Sequence, residues 1–112
     1  MDLHQTCDGG IRIVTVPEAR IDAAAAIGFK DAMRAATARG PDHVVLDLSN
    51  VEFVDSSGLG AIVAAMKQMG PGRRLDLAGL TPDVAKVFRL TRMDTVFVIH
   101  GRADGAVRRD AG

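Results

Sequence analysis

The chain has 112 residues, enough for one domain with a hydrophobic core and too few for two. With 47% apolar and 25% charged residues it has the composition of a folded globular domain, and a formal net charge of zero argues against the basic excess that DNA or RNA binding needs. The single cysteine, Cys7, excludes an internal disulfide, and no apolar run approaches the ~20 residues of a membrane span.

In chain order, Leu3 to Cys7 reads as a short first strand, and Gly9-Gly10 as a two-residue hairpin turn. Ile11 to Val16 is a second strand, β-branched almost throughout. Pro17 ends regular pairing, and Arg20-Ile21 continues extended. Asp22 fits a helix N-cap, since its carboxylate can accept free backbone N–H groups. The Ala-rich stretch from Ala23 to Arg39 places Ala26, Phe29, Met33 and Ala36 on one face at helical spacing, and Gly40-Pro41 ends it. Gly28 weakens this helix by about 1 kcal/mol relative to Ala, and close packing on the sheet would account for it.

His43 to Leu48, nearly continuous in apolar residues, is the expected central strand. A loop at Asp55 follows. Then comes a helix with Leu59, Ile62, Val63 and Met66 on its apolar face, ending near Gly70-Pro71-Gly72. Leu75, Leu77 and Ala78 belong to another strand. Thr81 caps a short helix with Pro82 in its first position and Val84, Val87 and Phe88 buried. Thr95 to Ile99 is the last strand, and beyond Gly101 the tail holds either one short helix around Ala103 to Arg109 or a frayed end. His4, His43 and His100 read as surface or strand-end residues, and Arg73-Arg74 and Arg108-Arg109 as solvated pairs. Strands alternating with helices imply right-handed parallel crossovers. The expected fold is α/β: one mixed, mostly parallel sheet with helices packed mainly on one face. It forms a single domain over residues 1–112, with its core at about 3–99 and a tail at 100–112.

The densest chemistry lies in Asp55-Ser56-Ser57-Gly58-Leu59-Gly60, where a strand hands over to a helix. One use is structural: Asp55 or Ser56 caps the helix, and the glycines let it pack closely. A hydrolase elbow is excluded, because neither Ser56 nor Ser57 has Gly two residues before and two after it. Gly58-Leu59-Gly60 is not followed by Lys and Ser or Thr, so a phosphate-binding loop is excluded too. One cysteine and scattered histidines give no metal-ligand spacing. What remains is Ser56 as a phosphoacceptor. A hydroxyl at a helix N-terminus is accessible, and the helix dipole tolerates the added phosphate. About 1.5 to 2 negative charges would then arrive beside Asp55.

The run from Val44 to Gly60, VVLDLSNVEFVDSSGLG, resembles the core signature of the STAS domain family, and more narrowly that of bacterial anti-sigma factor antagonists. Arg20-Ile21-Asp22 and Leu77-Ala78-Gly79-Leu80-Thr81-Pro82-Asp83-Val84 support the resemblance, which runs from about Leu3 to Ile99. It implies that Ser56 is the phosphorylated residue of a non-enzymatic, cytoplasmic regulator without cofactor or metal. The kinase would be an anti-sigma factor of the histidine-kinase-like ATPase type. Unphosphorylated protein would bind that kinase and free a sigma factor. Phosphorylated protein would let go, and a PP2C-type phosphatase would restore it. Asp22 matches an acidic position near the partner-facing surface, and Ser57 a neighbouring hydroxyl that supports the loop or the contact. Asp55 would orient the loop, Gly58 and Gly60 would permit close approach of the partner, and Leu59 would anchor the helix or add apolar contact. The alternative is a STAS subunit of a lipid or solute transport assembly, or of a stress-signalling complex, acting by binding alone. A small nucleotide-binding or hydrolytic protein is a third reading, and the missing motifs disfavour it.

Overall fold

The computed structural model describes residues 1–106. Strands β1 (His4–Asp8) and β2 (Ile11–Thr15) form an antiparallel hairpin. Its turn needs positive φ at both central positions, and Gly9 (59°) and Gly10 (79°) supply it at no steric cost. A short strand β3 (Arg20–Ile21) leads into helix α1 (Ala23–Thr37), and β4 (His43–Asp47) returns through the middle of the sheet. Next come β5 (Phe53–Val54), α2 (Ser56–Met69), β6 (Arg74–Ala78), α3 (Pro82–Leu90), a 3-10 turn (Met93–Thr95) and β7 (Ile99–His100). The main sheet has the order β1-β2-β4-β6-β7, parallel except for β1. β3 and β5 form a separate parallel pair, with Arg20 opposite Phe53 and Ile21 opposite Val54.

Val44, Val45 and Leu46 are fully buried, as a central strand covered on both faces requires. On one face Phe29 and Met33 of α1, Ile62 and Ala65 of α2, and Val84 and Phe88 of α3 share a core with Val14, Leu46 and Leu77. Phe97 meets Phe88 edge to face, with ring centroids 6.1 Å apart. On the other face Ile11, Val45 and Ala78 are covered by Ala106, in a segment that is helical at 103–106. The rest of the expected tail helix lies outside the described residues.

The structure changes several expectations. The inward stripe of α2 is Gly58, Ala61, Ile62, Ala65 and Met69, while Leu59, Val63 and Met66 are half-buried at its margin. Small residues face inward because they let the helix seat closely on the core. The expected strand Thr95 to Ile99 shrinks to Ile99–His100. Arg92 turns the chain in the left-handed region (φ 63°), the 3-10 turn follows, and Phe97 points into the core rather than joining a ladder. Thr81 holds the N-cap position of α3, but its hydroxyl donates to the Val51 carbonyl at 2.8 Å instead of accepting from the helix. Val87 is half-buried rather than core. Gly28 is exposed, and a Cβ there would find nothing nearer than the Met1 nitrogen at 3.9 Å, so sheet packing does not explain it.

Two arginines have structural duties. Arg12 Nη1 donates to the carbonyls of Ala36 (2.6 Å) and Arg39 (2.8 Å), and Arg73 donates to those of Thr37 (2.6 Å) and Pro41 (3.0 Å). The Ala36 and Thr37 carbonyls are among those left open at the C-terminus of α1, and those of Arg39 and Pro41 belong to the turn that follows. Arg73 is therefore not solvated surface, whereas Arg74 is exposed as expected while its Nη2 donates to Asp76 Oδ2 at 2.9 Å.

Asp76 also gathers two of the histidines. Nε2 of His43 (2.8 Å) and Nε2 of His100 (2.9 Å) meet the same Oδ2. Asp76 and His100 are buried at 2% and 3% exposure, so His100, which ends β7, is a strand-end residue within the core rather than a surface one. Burial by itself would raise the Asp76 carboxyl, but the bonds from His100, Arg74 and His43 outweigh it and hold the group below the usual carboxylate range. A carboxyl depressed in the folded state contributes stability above its unfolded pKa and loses it as pH falls through the lower folded value. Asp76→Asn is expected to lower stability at pH 7 by about 2 kcal/mol in urea unfolding. The gap to wild type should then close below about pH 4.

Candidate functional site

β3 and β5 run side by side and each ends in an aspartate that starts a helix. Asp22 caps α1, its Oδ1 accepting the Ala25 N–H at 3.2 Å. Asp55 caps α2, its Oδ1 accepting the Gly58 N–H at 2.9 Å. The other Asp55 oxygen reaches across to the first turn of α1 and accepts the Ala23 N–H at 3.1 Å. One carboxylate thus ties two helix N-termini together, which places two sets of backbone N–H groups and the positive ends of two helix dipoles at one corner.

Ser56 is the first residue of α2, directly after this clasp, and it is exposed. Because Asp55 does the capping, the Ser56 hydroxyl is not needed for it. Ser57 is exposed beside it. His43 and His100 direct Nε2 to Asp76. The corner therefore presents two exposed hydroxyls beside a carboxylate that is committed to two backbone N–H groups.

The other expected site residues divide. Asp22 and Asp55 are half-buried at the corner, and Gly60 is exposed with open space around it. Leu59 is half-buried and packs against the core, which favours its anchoring role. Gly58 agrees with the structural reading, in which the glycine lets the helix pack closely: it is buried, and a Cβ there would lie 1.8 Å from the Ile21 carbonyl oxygen. Its missing side chain lets β3 approach.

Two residues at the corner had no role assigned from sequence. The Arg20 guanidinium sits 4.1 Å from the centre of the Phe53 ring, and its Nε lies 3.3 Å from Asp22 Oδ2. Phe53 is 40% exposed, unusual for a phenylalanine. Arg20, hydrogen-bonded to Asp22, holds that carboxyl below its ordinary range, with the Ala25 N–H adding to the effect. The signal was the pairing of β3 with β5, which two-residue strands do not announce. Removing the clasp should be measurable. Asp55→Ala is expected to cost about 2 kcal/mol, since it leaves both Gly58 and Ala23 N–H groups without their acceptor. Asp55→Asn keeps one acceptor oxygen and should cost about half as much, by the same unfolding measurement.

The STAS domain family matches residues 4–106. The chain belongs to that family. A STAS-domain containing protein of Pseudomonas aeruginosa is 30% identical over 83 residues, 73% of this chain and 81% of the relative. An anti-sigma factor antagonist from Mycobacterium paratuberculosis superposes with a TM-score of 0.85 at 27% identity, covering 96% of this STAS chain and 92% of its own. The anti-sigma factor antagonist SpoIIAA in its unphosphorylated form gives 0.77 at 18% identity over 99% and 97% of the two chains. The Bacillus protein of that name has also been solved phosphorylated, with a TM-score of 0.69 at 16% identity over 96% and 98%. The fold occurs within a larger protein too: the murine anion transporter solute carrier 26 family member A9 gives 0.71 at 22% identity, covering 92% of this chain and 18% of the transporter. This STAS domain thus has the fold of anti-sigma factor antagonists, and that fold also serves inside transporters. Among the described residues, no helix is long and apolar enough to cross a membrane, and no cluster of three or more His, Cys, Asp or Glu is placed to hold a metal ion.

Proposed function

We propose that this STAS protein is an anti-sigma factor antagonist, a partner switch controlled by phosphorylation of Ser56. The observation that carries the reading is the exposed Ser56 at the start of α2, left uncommitted because Asp55 caps the helix and clasps α1. The unphosphorylated corner binds an anti-sigma factor kinase of the histidine-kinase-like ATPase type and so releases a sigma factor. In the kinase reaction the Ser56 Oγ–phosphorus bond forms, the β–γ phosphoanhydride bond of ATP breaks, ADP leaves, and the hydroxyl proton passes to a base of the kinase or to water. The phosphate rests near two helix N-termini and leaves the fold intact, while its charge breaks the interface. A PP2C-type phosphatase hydrolyses the ester and resets the switch. The chain acts as substrate and ligand, not as catalyst.

The test uses the wild-type protein as bait in lysate of its host, followed by ATP labelled on the γ-phosphate. The captured kinase should label wild type and Ser57→Ala but not Ser56→Ala. Capture of transporter components that Ser56→Asp does not weaken, with no labelling, would replace the switch with a constitutive binding subunit, the role suggested by the transporter likeness.

A further inference from the structure

Arg20 is held at the corner by two interactions, both with exposed or half-exposed groups. Its guanidinium stacks on Phe53, and its Nε pairs with Asp22; the Arg20 side chain is 60% exposed and that of Asp22 27%. Ion pairs and cation–π contacts in such settings are weak. Neither neighbour depends on the arginine. Asp22 keeps its bond from the Ala25 N–H, and Phe53 is part of β5 through its backbone. The pairing of β3 with β5 puts Arg20 directly opposite Phe53, and the chain runs from Phe53 to Ser56 in three residues. Adjacent paired strands lie ~4.8 Å apart. The bond from Nε to Asp22 shows the guanidinium leaning toward the end of the strand pair where both helices begin. Asp22 and Asp55 bring negative charge to this corner, and Arg20 pairs with Asp22.

We propose that Arg20 is the internal counter-ion of phosphorylated Ser56, leaving Phe53 and Asp22 to pair with the phosphate. This rests on the reading of Ser56 as the phosphoacceptor. A phosphate carries more charge than one carboxylate and takes the planar guanidinium in a bidentate pair, so it competes well for an arginine so loosely held. Phosphorylation then alters more than one hydroxyl. It uncovers the Phe53 ring and leaves Asp22 without its cation, so the corner changes on both strands at once.

The experiment uses full-length protein with phosphoserine installed at position 56 during translation, so no kinase is needed. Two NMR readouts are compared with the unmodified protein and with phosphorylated Arg20→Gln. In wild type the Arg20 Nε–Hε signal should lose its ring-current shift from Phe53 on phosphorylation. The phosphorus signal should titrate at lower pH in wild type than in Arg20→Gln, since a neighbouring cation favours the dianion. An Arg20 signal that stays under the ring, with superimposable phosphorus titrations, would overturn the counter-ion role. Because the phosphoserine is installed, that result would leave Ser56 as kinase substrate untouched, whereas failure of kinase labelling would remove the switch and leave this measurement intact.

Discussion

Ser56→Asp is expected to weaken binding of the anti-sigma factor kinase by about a thousandfold while leaving the unfolding curve of the isolated domain near wild type. The two halves of this expectation come from one geometry. At the first position of α2 a negative charge faces the positive end of the helix dipole, worth about 0.3–1 kcal/mol in favour of the fold. At an interface the same charge must be desolvated beside Asp55 and Asp22, and a loss of about 4 kcal/mol there corresponds to roughly a thousandfold in affinity. Ser56→Ala should bind like wild type, which separates charge from loss of the hydroxyl. Calorimetric titration of the three proteins with the purified kinase measures the difference. Ser56→Asp binding with wild-type affinity would mean that the corner does not form the interface.

Gly58→Ala is the larger structural test. A methyl at this helical position would stand 1.8 Å from the Ile21 carbonyl oxygen and 2.8 Å from its carbon. Both are backbone atoms of β3, so no side-chain rotation relieves the clash. Either α2 or the β3–β5 pair must move, and both Asp clasps move with them. The gain in helix propensity, about 1 kcal/mol, is outweighed by overpacking of about 3 kcal/mol or more. A net loss of at least 2 kcal/mol lowers Tm by roughly 10 °C in a domain of this size. Gly60→Ala is the control two residues on, with nothing within 4 Å of its Cβ. It should raise stability by up to about 1 kcal/mol. Equal effects at the two positions would contradict the packing described for Gly58.

The pattern of elements was readable from the chain because strong local signals agreed. His43 to Leu48 announced a central strand, Gly9-Gly10 a hairpin and Asp22 a cap, and each is found in place; of Asp55 and Ser56, either of which could cap α2, Asp55 does so. The misses arose where tertiary contacts outweighed local pattern. β5 has two residues and exists because β3 lies beside it, so neither the Asp55 bond to Ala23 nor the Arg20 stack on Phe53 could be read from spacing. Gly58 was open to two readings, close packing of the helix and room for a partner, and the position of Ile21 shows the close packing. At Asp76 the chain does carry a signal: a carboxylate between Leu75 and Leu77 on an interior parallel strand has to find donors, and it finds His43, Arg74 and His100.

The central claim is that Ser56 carries a reversible phosphate. Intact mass of the protein purified from its native host, before and after phosphatase treatment and with peptide mapping across Ser56 and Ser57, tests it directly. A single phosphatase-sensitive phosphate on Ser56 is the predicted result. Full peptide coverage without phosphate across growth conditions, or with phosphate on Ser57 alone, would contradict it.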